Sequence, residues 1–305
     1  MASLQRRVES KDALKGIPLA TTLWAWVSKL RFLKWDHTWI TTDDNRVAAR
    51  PTTIGQVITA GEDYWYCWGD FHKDGITPAH PDGSIGSRLG DLALARCICQ
   101  SNLDSRGNPP AQGTIFSYGI DGVCHQLANQ VLWATQGTGA SPLTVRLARG
   151  YGTSTFFFGS YGRQVAAWRR RLASCPAAGV GGGGSGSPFM STSDPPDLHG
   201  DEFENTARAV LNDDSHLLRA LLSLREEASL RNSQFHELAD ETKGRTPTAI
   251  ELNAAYNQFC ARAAKLLGDK KFEQIFGVPA GVDVDIVDRE FLENSRRPPP
   301  GTRGL

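Results

Sequence analysis

The stretch Tyr118-Gly-Ile-Asp-Gly-Val-Cys124-His125-Gln-Leu-Ala-Asn129-Gln-Val-Leu-Trp133 decides how the rest of the chain is read. Gly119 and Gly122 allow a tight turn, and Asp121 offers a carboxylate to the first free amides of a following helix. Val123, Leu127 and Val131, with Leu132 beside them, recur at helical spacing, so the segment is expected to lay one face on a core. Cys124 then falls in the first helical turn, where the positive end of the helix dipole favours thiolate over thiol. A cysteine so placed is either a nucleophile or, as most single cysteines are, a buried core residue.

Working outward, the 305 residues and balanced composition are those of a soluble globular protein with room for two domains. The net charge of zero conceals an asymmetry. Residues 1–189 hold 19 Lys and Arg against 13 Asp and Glu, residues 190–305 hold 14 against 20, and all eight Trp lie in the first part. Two regions of opposite sign would be drawn together. Between them runs Gly179-Val-Gly-Gly-Gly-Gly-Ser-Gly-Ser-Pro-Phe189, a composition that buries nothing and behaves as a coil. Each part opens on methionine and a small residue, Met1-Ala2 and Met190-Ser191. The run therefore reads as an engineered tether between two proteins that bind each other, with a natural interdomain linker as the other possibility. The expected domains are 1–178, the linker 179–189, a helical domain 190–277 and an extended tail 278–305.

Cys67, Cys97, Cys99, Cys124 and Cys175 lie in the first part. Their odd number and irregular spacing argue against a secreted disulfide scaffold. Ile17 to Val27 is too short to span a membrane, and acidic Glu9 and Asp12 precede it, unlike a signal sequence. A cytoplasmic protein that binds neither membrane nor nucleic acid is expected. Arg169-Arg-Arg171 reads as a solvated helix face, and no nucleotide-binding glycine motif is present.

Along the first part, Thr21 to Leu33 has apolar residues at helical spacing and is expected as a helix. Lys34 to Thr42 and Tyr64 to Gly69 are expected as aromatic strands, and Ser87 to Cys99 as a helix. Beyond the cysteine helix, Leu143 to Ala148 and Thr153 to Phe158 are expected as two strands joined at Arg149-Gly-Tyr-Gly152. The sum is an α+β domain with an antiparallel sheet. The second part is expected as a small all-α bundle. Ser215 to about Thr242 carries a leucine stripe, Thr248-Ala-Ile-Glu251 is a capping box opening a helix to Leu267 with Gly268 as its stop, and Asp269 to Phe276 is closed by Gly277. The tail, with Asp283, Asp285 and Asp288 and then a proline run, is too polar to fold alone and suits lying extended on a partner.

A cysteine nucleophile needs a base, and usually a third group to orient it. The histidines of the first part are His37, His72, His80 and His125. His125 follows Cys124 directly and sits about 100° round the helix, so its ring points elsewhere. His37, on a strand, is the better base. Asp36-His37-Thr38-Trp39-Ile40, followed much later by Gly122-Val123-Cys124-His125-Gln126, resembles the circularly permuted branch of the papain-like superfamily, which includes lecithin–retinol acyltransferase-like and permuted NlpC-type proteins. The resemblance covers roughly residues 30 to 160. It implies a papain-like fold, Cys124 as nucleophile, His37 as base, and hydrolysis or transfer of amide, ester or thioester acyl groups through a covalent thioester. Asp70, Tyr66 and His72 are candidates to orient the imidazole, and Tyr118 or a backbone amide at the helix start to stabilise an oxyanion.

The first functional expectation is thus a cysteine-dependent acyl-transfer enzyme (amidase, peptidase or transacylase) with no cofactor or metal, tethered to residues 190–305 as an acidic protein partner. One alternative is a non-catalytic binding pair with Cys124 as a core thiol. Another is a thiolate–metal enzyme using Cys97, Cys99 and Cys124. His199, His216 and His236 are expected at the surface.

Overall fold

A computed structural model describes residues 20–29, 36–41, 64–65, 83–91, 118–134, 144–163, 201–212, 214–239, 246–287, 289 and 292. Four strands, β1 (Ala20–Lys29), β2 (Asp36–Thr41), β3 (Tyr64–Trp65) and β4 (Gly83–Asp91), precede six helices: α1 (Cys124–Ala134), α2 (Tyr151–Phe158), α3 (Glu202–Leu211), α4 (Ser215–Ala239), α5 (Ala249–Leu267) and α6 (Asp269–Phe276). The strands pair antiparallel in the order β3-β2-β1-β4, with Ser28 opposite His37 and Val27 opposite Thr38.

This overturns the expected α+β, papain-like fold. The described residues are predominantly helical, and the two strands that should have completed the sheet after the cysteine helix are not strands. Residues 146–150 form turns, and 151–158 is the helix α2. Thr153-Ser-Thr-Phe-Phe-Phe favours a strand by propensity, but every residue of α2 except Gly152 is buried, so packing outweighs local preference. A helix apolar on all sides carries no 3.6-residue signal to read. Gly150, at φ 81°, does supply the expected turn, but the turn opens a helix.

Two further elements differ. The expected helix from Thr21 holds strand β1, because Leu23, Trp24, Trp26 and Val27 satisfy a helical spacing while Thr21, Thr22, Val27 and the two Trp favour a strand. The expected helix from Ser87 begins as strand β4, with its remainder outside the described residues.

The core is built around α2. Phe156 meets Phe203 of α3 edge-on at 5.2 Å and Phe276 of α6 at 5.1 Å, and Phe157 lies 4.4 Å from the Tyr256 ring of α5. Gly152 permits the closest approach, since a side chain there would collide with the Ile275 carbonyl oxygen. Arg225 of α4 donates to the Thr155 and Phe156 carbonyls and pairs with Asp201. One hydrophobic core thus runs through residues from both sides of 179–189, which themselves lie outside the described residues.

The helical region forms where its caps predict. The Thr248 hydroxyl accepts from the Glu251 amide while the Glu251 carboxylate accepts from the Thr248 amide, and Gly268 and Gly277 end α5 and α6. Residues 278–287 run without helix, with Val278, Val284, Ile286 and Val287 buried. Among the described residues no helix is long and apolar enough to cross a membrane.

Candidate functional site

The turn before α1 is closed by the Gly119 amide donating to the Gly122 carbonyl at 2.8 Å, with Tyr118 bridged to Gly122. Gly119 has φ 78°, a conformation that costs a residue with a Cβ. The Val123 amide donates to Gln126 Oε1 at 3.1 Å, so a side chain three residues ahead reaches back to cap the helix start. Asp121 lies fully buried in the same turn, its Oδ2 3.4 Å from His236 Nδ1 of α4. His236 was expected only at the surface; it is half exposed and faces this carboxylate.

Cys124 is the first residue of α1 and is 8% exposed. Burial pushes its thiol up to about 11, offset in part by the nearby polar groups of Thr38 and the backbone of His125 and of Cys124 itself. The helix-end field expected to favour thiolate is therefore outweighed by loss of water. Strand β2 packs against α1, and Thr38, the residue after His37, lies beside Cys124. The described pairing of β3 with β2 is confined to Ile40 and Thr41, beyond that position. His37 is buried, 8% exposed.

His125 does point away from the thiol. Its Nε2 lies 2.8 Å from the Asp36 carbonyl oxygen and its Nδ1 2.9 Å from Ser154 Oγ, and burial lowers its titration to about 4. A carbonyl only accepts, so Nε2 carries the proton of the neutral ring, and Nδ1 shares the one proton of the Ser154 hydroxyl with the Tyr151 carbonyl, 2.9 Å from Ser154 Oγ. Asp36 is latched in turn: its amide donates to the Arg149 carbonyl at 3.0 Å, and its Oδ2 accepts from the Arg149 amide at 2.8 Å. These bonds hold the Asp36-His37-Thr38 segment against α1 and α2.

The rest of the polar face of α1 is buried rather than solvated. Gln126 donates to the Gly159 carbonyl at 3.0 Å and Gln130 to the Tyr161 carbonyl. Asn129 donates to Tyr151 Oη and the Ser160 carbonyl, each at 2.8 Å, and accepts from the Val145 amide at 2.9 Å. Four residues apart on one helix face, His125 and Asn129 look from the sequence like a surface pair. Their only visible signal was the polar stripe His125, Gln126, Asn129, Gln130, which looks the same whether water or a loop covers it.

Of the expected site, Cys124, His37 and Tyr118 are described; Tyr118 is buried beside the turn, 5% exposed. Asp70, Tyr66, His72, His80, Cys97 and Cys99 lie outside the described residues. Among the described residues no group of three His, Cys, Asp or Glu side chains is arranged to hold a metal ion. Comparison with protein-family models, with curated proteins and with solved structures finds no match to this chain.

Proposed function

We propose that the chain is a cysteine-dependent acyl-transfer enzyme, an amide or peptide hydrolase or a transacylase, with Cys124 as nucleophile and His37 as base. One observation carries the reading: the start of α1 packs on β2, with His125, next to Cys124, 2.8 Å from the carbonyl of Asp36, next to His37.

A thiol that titrates near 11 is protonated at neutral pH, so an imidazole has to take its proton before attack. His125 is engaged elsewhere, its Nε2–H on the Asp36 carbonyl and its Nδ1 at Ser154, so among the described histidines the base is His37, on the strand packed against α1. The thiolate would then attack the acyl carbon, forming the C–S bond as the amine or alcohol departs with the proton from the imidazolium. Water or an acceptor then breaks the thioester. The expected outcome is iodoacetamide alkylation of Cys124 that rises with pH near neutrality, and that His37→Ala slows about tenfold or more at pH 7. Equal, slow alkylation of the two proteins overturns the reading.

That second outcome belongs to a non-catalytic binding pair, which the shared aromatic core of Phe156, Phe157, Phe203, Tyr256 and Phe276 favours. On either reading the region from residue 201 is the intramolecular partner of residues 118–163.

A further inference from the structure

The turn that delivers Cys124 is gripped from outside by the helical region. The Tyr256 hydroxyl of α5 lies 2.6 Å from the Gly119 carbonyl oxygen and 2.8 Å from Asn232 Oδ1, so its one proton serves two buried acceptors. Asn232 is itself fixed by donating to the Phe157 carbonyl at 3.1 Å. On the same glycine, the Val287 methyl groups pack so closely that a Cβ would meet them at 2.7 Å.

Val287 is equally constrained. Its amide donates to Asn253 Oδ1 and its carbonyl accepts from Asn253 Nδ2, both at 2.9 Å. Asn257, one turn along α5, accepts from the Val284 amide at 2.8 Å. Two asparagines four apart thus pin the 284–287 strap to one face of α5, as i and i+4 residues share a face. The strap and Tyr256 close on Gly119, whose amide makes the hydrogen bond that shapes the turn.

We infer that Tyr256 and Val287 are positioning residues for Cys124: the helical region sets the Gly119–Gly122 turn and so the register of the sulfur on β2. It acts as a built-in activating subunit rather than as a substrate or a passive passenger. The inference rests on the reading of Cys124 as nucleophile, but its test is separable from it.

The experiment compares the full chain with its Tyr256→Phe, Val287→Ala and Thr153→Val variants. Tyr256→Phe keeps the ring and removes the clamp hydroxyl. Thr153→Val removes a bond to the Phe276 carbonyl, at the same interface but away from the turn. Hydrogen exchange of the amides of residues 119–123 is expected to speed up about three- to tenfold in Tyr256→Phe while α5 keeps its protection. The pH profile of Cys124 alkylation is expected to move toward that of an ordinary thiol in the same variant and in Val287→Ala. Thr153→Val should move neither readout.

Unchanged exchange and profile in both clamp variants, or an equal shift in Thr153→Val, overturns the inference. Should Tyr256→Phe fail to fold, Val287→Ala tests the same contact. His37→Ala separates the two proposals: a loosened turn with a His37-independent thiol keeps the clamp and sinks the enzyme, and a His37-dependent thiol on an unmoved turn does the reverse.

Discussion

Cys124 and Cys260 are two free, buried cysteines in helices of one molecule, and they differ in what surrounds the sulfur. Cys260, within α5, is pushed up to about 12 by burial alone. Cys124, at the first position of α1, is raised to about 11, its burial offset in part by the backbone of Thr38, His125 and Cys124 itself. Position in the helix makes the difference. A mid-helix residue finds its neighbouring amides already bonded to the turn before, whereas the first turn leaves N–H groups free to meet a sulfur. Burial of a cysteine therefore says little about chemistry; the donors beside it say more.

The comparison can be broken or sharpened in three ways. The largest effect is expected from Phe156→Ala, which empties a ring site packed between Phe157, Phe203 and Phe276. A loss of about 3–5 kcal/mol in a denaturant melt is expected, with both thiols alkylated at similar rates, since one core protects both. Survival of the Cys260 protection alone would show that the two cysteines belong to separately stable units.

Next is the pH response of the Cys124 neighbourhood. The His125 titration is lowered from 6.5 to about 4 by burial, so below pH 6.5 the unfolded chain takes up a proton that the folded chain refuses. Stability should then fall as pH drops from about 6.5 toward 4 and level off below. The loss is about 3 kcal/mol, from roughly 1.4 kcal/mol per unit. His125→Gln should flatten that segment of the stability–pH curve; an unchanged slope would assign it to other groups. At the alkaline end both cysteines act in the opposite sense. Their raised values mean that stability present below pH 9 declines as the unfolded thiols ionise and the folded ones do not.

The smallest effect is expected from Thr38→Val, which replaces a buried hydroxyl beside Cys124 with a methyl group and keeps the shape. The Cys124 profile should move upward, toward Cys260, by something under about one pH unit. A downward shift would mean that the hydroxyl accepts from the thiol instead.

Legibility in the sequence followed the same division between local and distant causes. The Thr248–Glu251 box and the glycines after α5 and α6 act within one turn of the chain, and those helices lie where the residues indicate. The start of α1 at Cys124, after a glycine-bounded turn, was legible for the same reason. Residues 151–158 were misread because their helix is decided by what covers it on every side, and β1 because tryptophan and valine spacing satisfies two periods at once.

The sequence by itself determined the ends of α5 and α6, the glycine-bounded turn before Cys124 and the chemical repertoire of one thiol and a few imidazoles, because these depend on neighbours within about four residues. Only the tertiary structure decided that His125 is a locked, neutral bracket and that the polar face of α1 is covered by a loop. It also decided that a tyrosine and a valine from beyond residue 250 grip the turn before Cys124. Each depends on which distant group excludes water from a given atom, and that follows from packing the described helices around α2.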